Sequence, residues 1–121
     1  MPRTLKLTLP EPPSANRYWH HGKGRTYLSP EAKQYRQDVS AICLPKRVRP
    51  LDGPVAVSFI WYRSRKDGDL DNRVKQLLDA LRGHAYTDDD QIIELHAYRM
   101  DRPRDGAVEV EVWAAETGEP K

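Results

Sequence analysis

Along the chain, apolar and polar positions alternate or recur with periods that mark out six segments. Leu5, Leu7 and Leu9 alternate with polar residues, which predicts a half-buried strand over residues 4–9. Pro10, Pro12 and Pro13 end it. Residues 14–27 have no period and are rich in Asn, Gly, His and Arg, which predicts a long loop or irregular hairpin. A helix is expected from Ser29, where Ser caps, Pro30 suits the first helical position and Glu31 favours the positive end of the dipole. Ala32, Tyr35, Val39 and Ile42 form its apolar stripe. Residues 54–62 are apolar on both faces, with Val55, Val57, Phe59 and Trp61 opposite Ala56, Ser58, Ile60 and Tyr62. Such a strand belongs in the middle of a sheet.

The clearest helix follows. Val74, Leu77, Leu78 and Leu81 stand at i, i+3, i+4 and i+7, with Asp71 or Asn72 as the expected cap and Gly83 as the closing residue. An acidic loop at 87–90 leads to a strand over about 91–100, then a turn, then a strand in which Val108, Val110 and Val112 alternate with Glu109 and Glu111. The tail from Ala115 lacks periodicity and is expected to fray. The order predicts an α+β fold: one small domain over residues 1–121, a mixed sheet of about four strands, and two main helices packed on one face.

Composition narrows the choices. At 121 residues and 38% hydrophobic content the chain supports one modest core. No segment approaches the ~20 apolar residues of a membrane span, and no N-terminal stretch resembles a signal peptide, so the expected compartment is the cytoplasm. The one cysteine, Cys43, falls among apolar helical positions and is expected to be a buried thiol. His20, His21, His84 and His96 do not form a zinc pattern with it. The net charge is only +2, but bases crowd residues 17–36, 46–49, 63–66 and 99–104, and acids crowd 67–71, 87–94 and 109–119. A protein that grips a polyanion and also binds a metal needs both kinds of cluster.

Three stretches carry candidate chemistry. Asp69-Leu70-Asp71-Asn72 follows the buried strand, and in extended backbone Asp69 and Asp71 point the same way, a pair that a hard cation stabilises. Taken alone, the tetrapeptide reads more readily as a capping Asp71 beside a solvated Asp69. Asp88-Asp89-Asp90 is denser in acid than an ordinary turn. If the sheet brings it beside the end of the 54–62 strand, one of the three completes a three-carboxylate cage. Lys75, one turn after Asp71, is either a surface helix pair or a cation beside a reacting phosphate. In the loop, Asn16, Arg17, Tyr18, Lys23 and Arg25 interleave cations, aromatics and glycines in a way that suits phosphates and bases. Arg63, Arg65 and Lys66 extend that basic set.

These pieces, in their order, resemble the RusA family of Holliday junction resolvases over nearly the whole chain. The resemblance is carried by Pro12-Pro13-Ser14-Ala15-Asn16-Arg17-Tyr18, by Gly24-Arg25-Thr26-Tyr27-Leu28-Ser29 with Tyr35-Arg36, by Asp69-Leu70-Asp71-Asn72 with Lys75 and Asp79-Ala80-Leu81, and by Asp88-Asp89 with Gln91-Ile92. It implies a prophage-type homodimer that binds four-way DNA junctions and makes paired symmetric nicks with Mg²⁺, for which Mn²⁺ can substitute. Residue by residue it implies metal-binding and catalytic roles for Asp69, Asp71 and Asp89, and an electrostatic role for Lys75. Anchored on Gln91 it selects Asp89, with Asp88, Asp90 and Asn72 as assisting neighbours. The competing expectations are a branched-DNA-binding module without catalysis and a nuclease of flaps or other branches.

Overall fold

The computed structural model describes residues 4–14, 19–22, 25–63, 70–101 and 106–115; of residues 19–22, 25–27, 71 and 72 it describes the backbone only. Strand β1 (Thr4–Leu9) is followed by the short strands β2 (Trp19–Gly22) and β3 (Arg25–Leu28) and by helix α1 (Pro30–Cys43). Then come β4 (Val55–Arg63), helix α2 (Asp71–Leu81), a 3₁₀ turn (Asp89–Gln91), β5 (Ile92–Asp101) and β6 (Val108–Ala114). The main sheet runs β1-β6-β4-β5, and β2 and β3 form a separate antiparallel hairpin in the stretch expected to be a loop or irregular hairpin. β4 pairs antiparallel with β6 and parallel with β5, so the sheet is mixed, as the sequence predicts.

Burial explains this arrangement. β4 lies between two partners, and its residues are buried or half-buried on both faces. On one face Val57, Phe59 and Trp61 join Leu7 and Leu9 of β1, Val108, Val110 and Val112 of β6, and Tyr35, Val39, Cys43, Leu77, Ala80 and Leu81 of the helices in one buried cluster. Both helices therefore cover the same side. The alternation in β6 has its expected result: its valines are buried and Glu109 and Glu111 are exposed. Burial also raises the thiol pKa of Cys43, an effect that nearby Lys46 partly opposes.

Local signals hold at α1 and fail at α2. The Ser29 side chain accepts the Ala32 N–H at 3.1 Å, and Pro30 sits in the first turn. At α2 the position before the helix is Leu70, in helical conformation and with no side-chain cap, while Asp71 is already helical. Leu70 packs against the core instead. The expected Asp71 cap is thus corrected, and so is the extended backbone at this step. Hydrophobic anchoring of Leu70 fixes the helix start, where sequence propensity points to a polar cap. At the far end Gly83 adopts φ +86°, a left-handed conformation that suits glycine, and its N–H reaches the Tyr86 carbonyl at 2.7 Å.

The parallel pairing of β4 and β5 has a topological consequence. Two parallel neighbours need a crossover that returns the chain to the same end of the sheet. α2 lies in that crossover, and Val55 at the start of β4 stands opposite Ile92 at the start of β5. The acidic loop at 87–90 therefore lies beside the start of β4 and not beside its end, the position that the sequence supports only as a condition. It reaches the chemistry from across α2.

Tyr86 closes the turn between α2 and this loop. It is fully buried, and its hydroxyl donates to the Leu78 carbonyl at 2.7 Å, one of the carbonyls left over at the helix end. Burial first, then the negative charges of Asp89 and Asp79, push its phenol well above the usual range. A raised folded-state pKa favours the neutral phenol, so its stability is full below the unfolded value near pH 10 and is lost as pH rises beyond it. Replacing Tyr86 with Phe is expected to lower stability at pH 7 by about 1 kcal/mol, because the Leu78 carbonyl loses its donor. The same change should flatten the fall in urea midpoint between pH 9 and 11, measured by circular dichroism.

Candidate nucleic-acid and metal site

The site is built around α2. Asp71 is its first residue, Lys75 follows one turn later, and Asp79 one turn after that. The Lys75 ammonium lies 3.3 Å from Asp79 Oδ1 and 3.8 Å from Asp89 Oδ2, so it ties the helix to the acidic loop. Asp79 is the more enclosed member, with 11% of its side chain exposed, and it also faces Arg36 of α1 at 3.9 Å. These groups line an open cleft of about 530 Å³ together with Arg82, Gly83 and Thr87. Both readings of Lys75 thus have a physical counterpart: it makes an i,i+4 pair, but forward to Asp79, and it also crosses to a loop carboxylate.

The acidic loop owes its shape to one amide. The Gln91 side-chain oxygen accepts the N–H groups of Thr87 at 2.9 Å and Asp88 at 3.0 Å. Its nitrogen donates to the carbonyls of Leu51 and Gly53, both at 2.8 Å. Asp88 in turn accepts the Asp90 N–H at 3.3 Å, which completes a capping box around the 3₁₀ turn. The carboxyl of Asp88 is held below the usual carboxylate range, first by its side-chain pairing with neighbouring Asp89, then by the Asp90 N–H, with Arg82 assisting. The adjacent carboxyl groups of Asp88 and Asp89 present the oxygen-only donor chemistry that suits a hard divalent cation. Among the described residues no three acids, histidines or cysteines gather into a closed metal cage.

The segment that enters the basic hairpin is moored to α1, β4 and α2. Tyr35 donates to the Pro10 carbonyl at 3.0 Å, and Trp61 Nε1 donates to Glu11 at 2.7 Å. Arg73 lies with its guanidinium 5.1 Å from the Trp61 ring centre and donates to the Pro12 carbonyl. Its Nε is buried without a hydrogen-bond partner among the described residues.

The sequence-derived candidates divide as follows. Asp89 and Lys75 come together, with Asp88 beside Asp89; Asp90 is exposed at the edge of the turn. Asp71 and Asn72 head α2, and Arg25 begins β3; their backbone alone is described. Asp69, Asn16, Arg17, Tyr18, Lys23, Arg65 and Lys66 lie outside the described residues. Arg63 is corrected. It is only 8% exposed, and its Nε and an Nη each meet Asp101 at 2.9 Å, which joins the ends of β4 and β5. A guanidinium so engaged is a structural clamp rather than a phosphate contact. His84 meets Ser40 at 2.9 Å and His96 meets Glu94 at 2.9 Å, so neither faces the cleft centre. Sequence reasoning missed the work of Gln91, Asp79, Arg36 and Arg82. The signals were present: Asp88-x-x-Gln91 is a capping-box spacing, and Lys75 to Asp79 is i,i+4.

Comparison with known proteins agrees with the geometry. The family model described as "Endodeoxyribonuclease RusA" matches residues 10–113. The chain is 34% identical over 112 residues to the "Crossover junction endodeoxyribonuclease RusA" of Shigella sonnei (strain Ss046), covering 90% of this chain and 93% of that protein. The same figures hold for the proteins of Escherichia coli (strain K12) and Enterobacteria phage 82 that carry this name.

Removal of the Gln91 amide tests the account of the loop. Gln91→Ala is expected to speed amide exchange at Thr87 and Asp88 while exchange in the middle of β4 stays slow. It should also lower the urea midpoint by an amount equivalent to about 1–2 kcal/mol, as the carbonyls of Leu51 and Gly53 lose a donor. Unchanged exchange at the two amides would show that the loop is held by other groups.

Proposed function

Because the chain belongs to the RusA endodeoxyribonuclease family, we propose that it is a divalent-metal-dependent endonuclease that resolves four-way DNA junctions by paired symmetric nicks. The observation that carries this reading is the position of the Lys75 ammonium, one turn beyond Asp71 and 3.8 Å from Asp89. A cation between two acidic segments, in an open polar cleft, suits a phosphodiester whose charge grows as it reacts.

In this reading Asp69, Asp71 and Asp89 hold the ion, Mg²⁺ or in its place Mn²⁺, with Asp88, Asp90 and Asn72 assisting. The ion would supply the positive charge that activates a water nucleophile and steadies the departing oxygen. Lys75 neutralises charge on the non-bridging oxygens, and Asp79 keeps its side chain aimed at the cleft. The hairpin stretch with Asn16, Arg17, Tyr18, Lys23 and Arg25, together with Arg65 and Lys66, would follow the DNA backbone. A homodimer supplies the two sites that paired nicks need. Its support is β5, an edge strand among the described residues, which exposes Ile93 and Leu95 on one face of the sheet and Tyr98 and Met100 on the other.

Two measurements test the proposal. Asp71→Asn should bind a synthetic four-way junction as tightly as the parent chain or more so, and should cut it at least a hundredfold more slowly in Mg²⁺. Cutting at the parental rate would overturn the site, and a parent chain that cuts no branched DNA would favour a binding module. Sedimentation equilibrium should give a dimer that Leu95→Lys with Tyr98→Lys converts to a folded monomer; an unchanged dimer would exclude β5 from the interface.

A further inference from the structure

The cleft contains more positive charge than the reaction itself uses. Besides Lys75, it is lined by Arg36 of α1 and by Arg82 just past the end of α2. Among the described residues, these three cations face the two lining carboxylates, Asp79 and Asp89. Arg36 and Arg82 keep 42% and 55% of their side chains exposed, and each meets an acid at 3.9 Å, a long pairing; Asp79 is the more enclosed of the two acids and Asp88 is about half exposed. The exposed Arg82–Asp88 pair contributes little to stability, so a phosphate competes with it at small cost. A guanidinium presents a planar fork of donors that matches a phosphate.

We propose that Arg36 and Arg82 form a second phosphate seat, which holds the backbone of the bound DNA strand a few nucleotides from the bond that is cut. This rests on the reading of the chain as a junction nuclease. Arg82 stands seven residues beyond Lys75, about 10 Å along the helix axis. Phosphates of one duplex strand advance by about 3.4 Å each, so the seat lies within roughly three nucleotides of Lys75. The geometry favours a polymer over a small anion. The cleft is open along the surface between the helices and the acidic loop, and its two arginines approach from separate elements, α1 and the end of α2. Asp79 organises this seat, since it faces both Arg36 and Lys75 and keeps the two cations on one side of the cleft.

The test uses the full chain and a fluorescent four-way junction, with divalent metal omitted so that binding is read without cleavage. Arg36→Gln and Arg82→Gln are each expected to weaken binding roughly tenfold at low salt. The slope of log K against log salt should fall by about 0.9 for each phosphate that is no longer neutralised, and so by about twice that where a dimer gives up two. Lys6→Ala, on the opposite face of the sheet, should leave both quantities unchanged. Thermal melts establish that each variant is folded; if Arg36→Gln is not, Arg82→Gln decides alone, because the one ion pair of Arg82 among the described residues is with the half-exposed Asp88. Parental affinity and slope in Arg82→Gln would overturn the proposal while leaving the nuclease reading intact. Displacement of the junction by inorganic phosphate at matched ionic strength would overturn it in favour of a small-anion site. A parent chain that binds no branched DNA would overturn both.

Discussion

The parallel pairing of β4 with β5 is the constraint on which the site depends. Had the two strands formed a hairpin, a short turn would have joined them and no helix would stand between. Because they run the same way, the chain must leave the far end of β4, travel back over the sheet and begin again beside Val55. α2 is the return path. Its inner face is claimed by Leu77, Ala80 and Leu81 in the core, which leaves Lys75 and Asp79 on the side that meets the acidic loop. The apolar burial of β4 and the polar chemistry of the cleft are thus two results of one topology.

The loop itself illustrates how a charged cluster is tolerated. Three consecutive aspartates repel one another, and nothing in the core compensates them. Their backbone is instead fixed by a neutral side chain: Gln91 uses its oxygen on two N–H groups of the loop and its nitrogen on two carbonyls before β4. Lys75 and Arg82 then face Asp89 and Asp88 from α2 and its end. The loop backbone is thus held mainly by the Gln91 amide, with the Asp88 carboxylate closing the turn onto the Asp90 N–H.

Most of the fold is legible in the sequence because it follows from periodicity. The alternation of Leu5, Leu7 and Leu9, the two-sided burial of β4 and the apolar stripe of α2 each describe how one segment meets a core, and each segment carries that information alone. What is not legible depends on pairs of segments. The direction of β5 relative to β4 leaves no mark in either strand, so periodicity does not say at which end of β4 the acidic loop lies. Leu70 displaces Asp71 from the cap because packing outweighs a hydrogen bond available equally from water. Arg63 looks like part of a basic run, and only the neighbouring strand reveals Asp101. In the site, Lys75 and Asp89 stand out through ordered motifs, while Arg36 and Arg82 come into view only when two helices are seen side by side.

Arg73 gives the molecule a property that none of its elements has singly. Its side chain lies over Trp61 and holds the Pro12 carbonyl, so the helix that begins at Asp71 and the segment that leads into the basic hairpin share one fastening. A designer who transplants the acid-bearing helix into another scaffold would find that the portable unit is not the helix. It is the helix, the end of β4 and residues 10–12 together, three pieces scattered in the gene but inseparable in space.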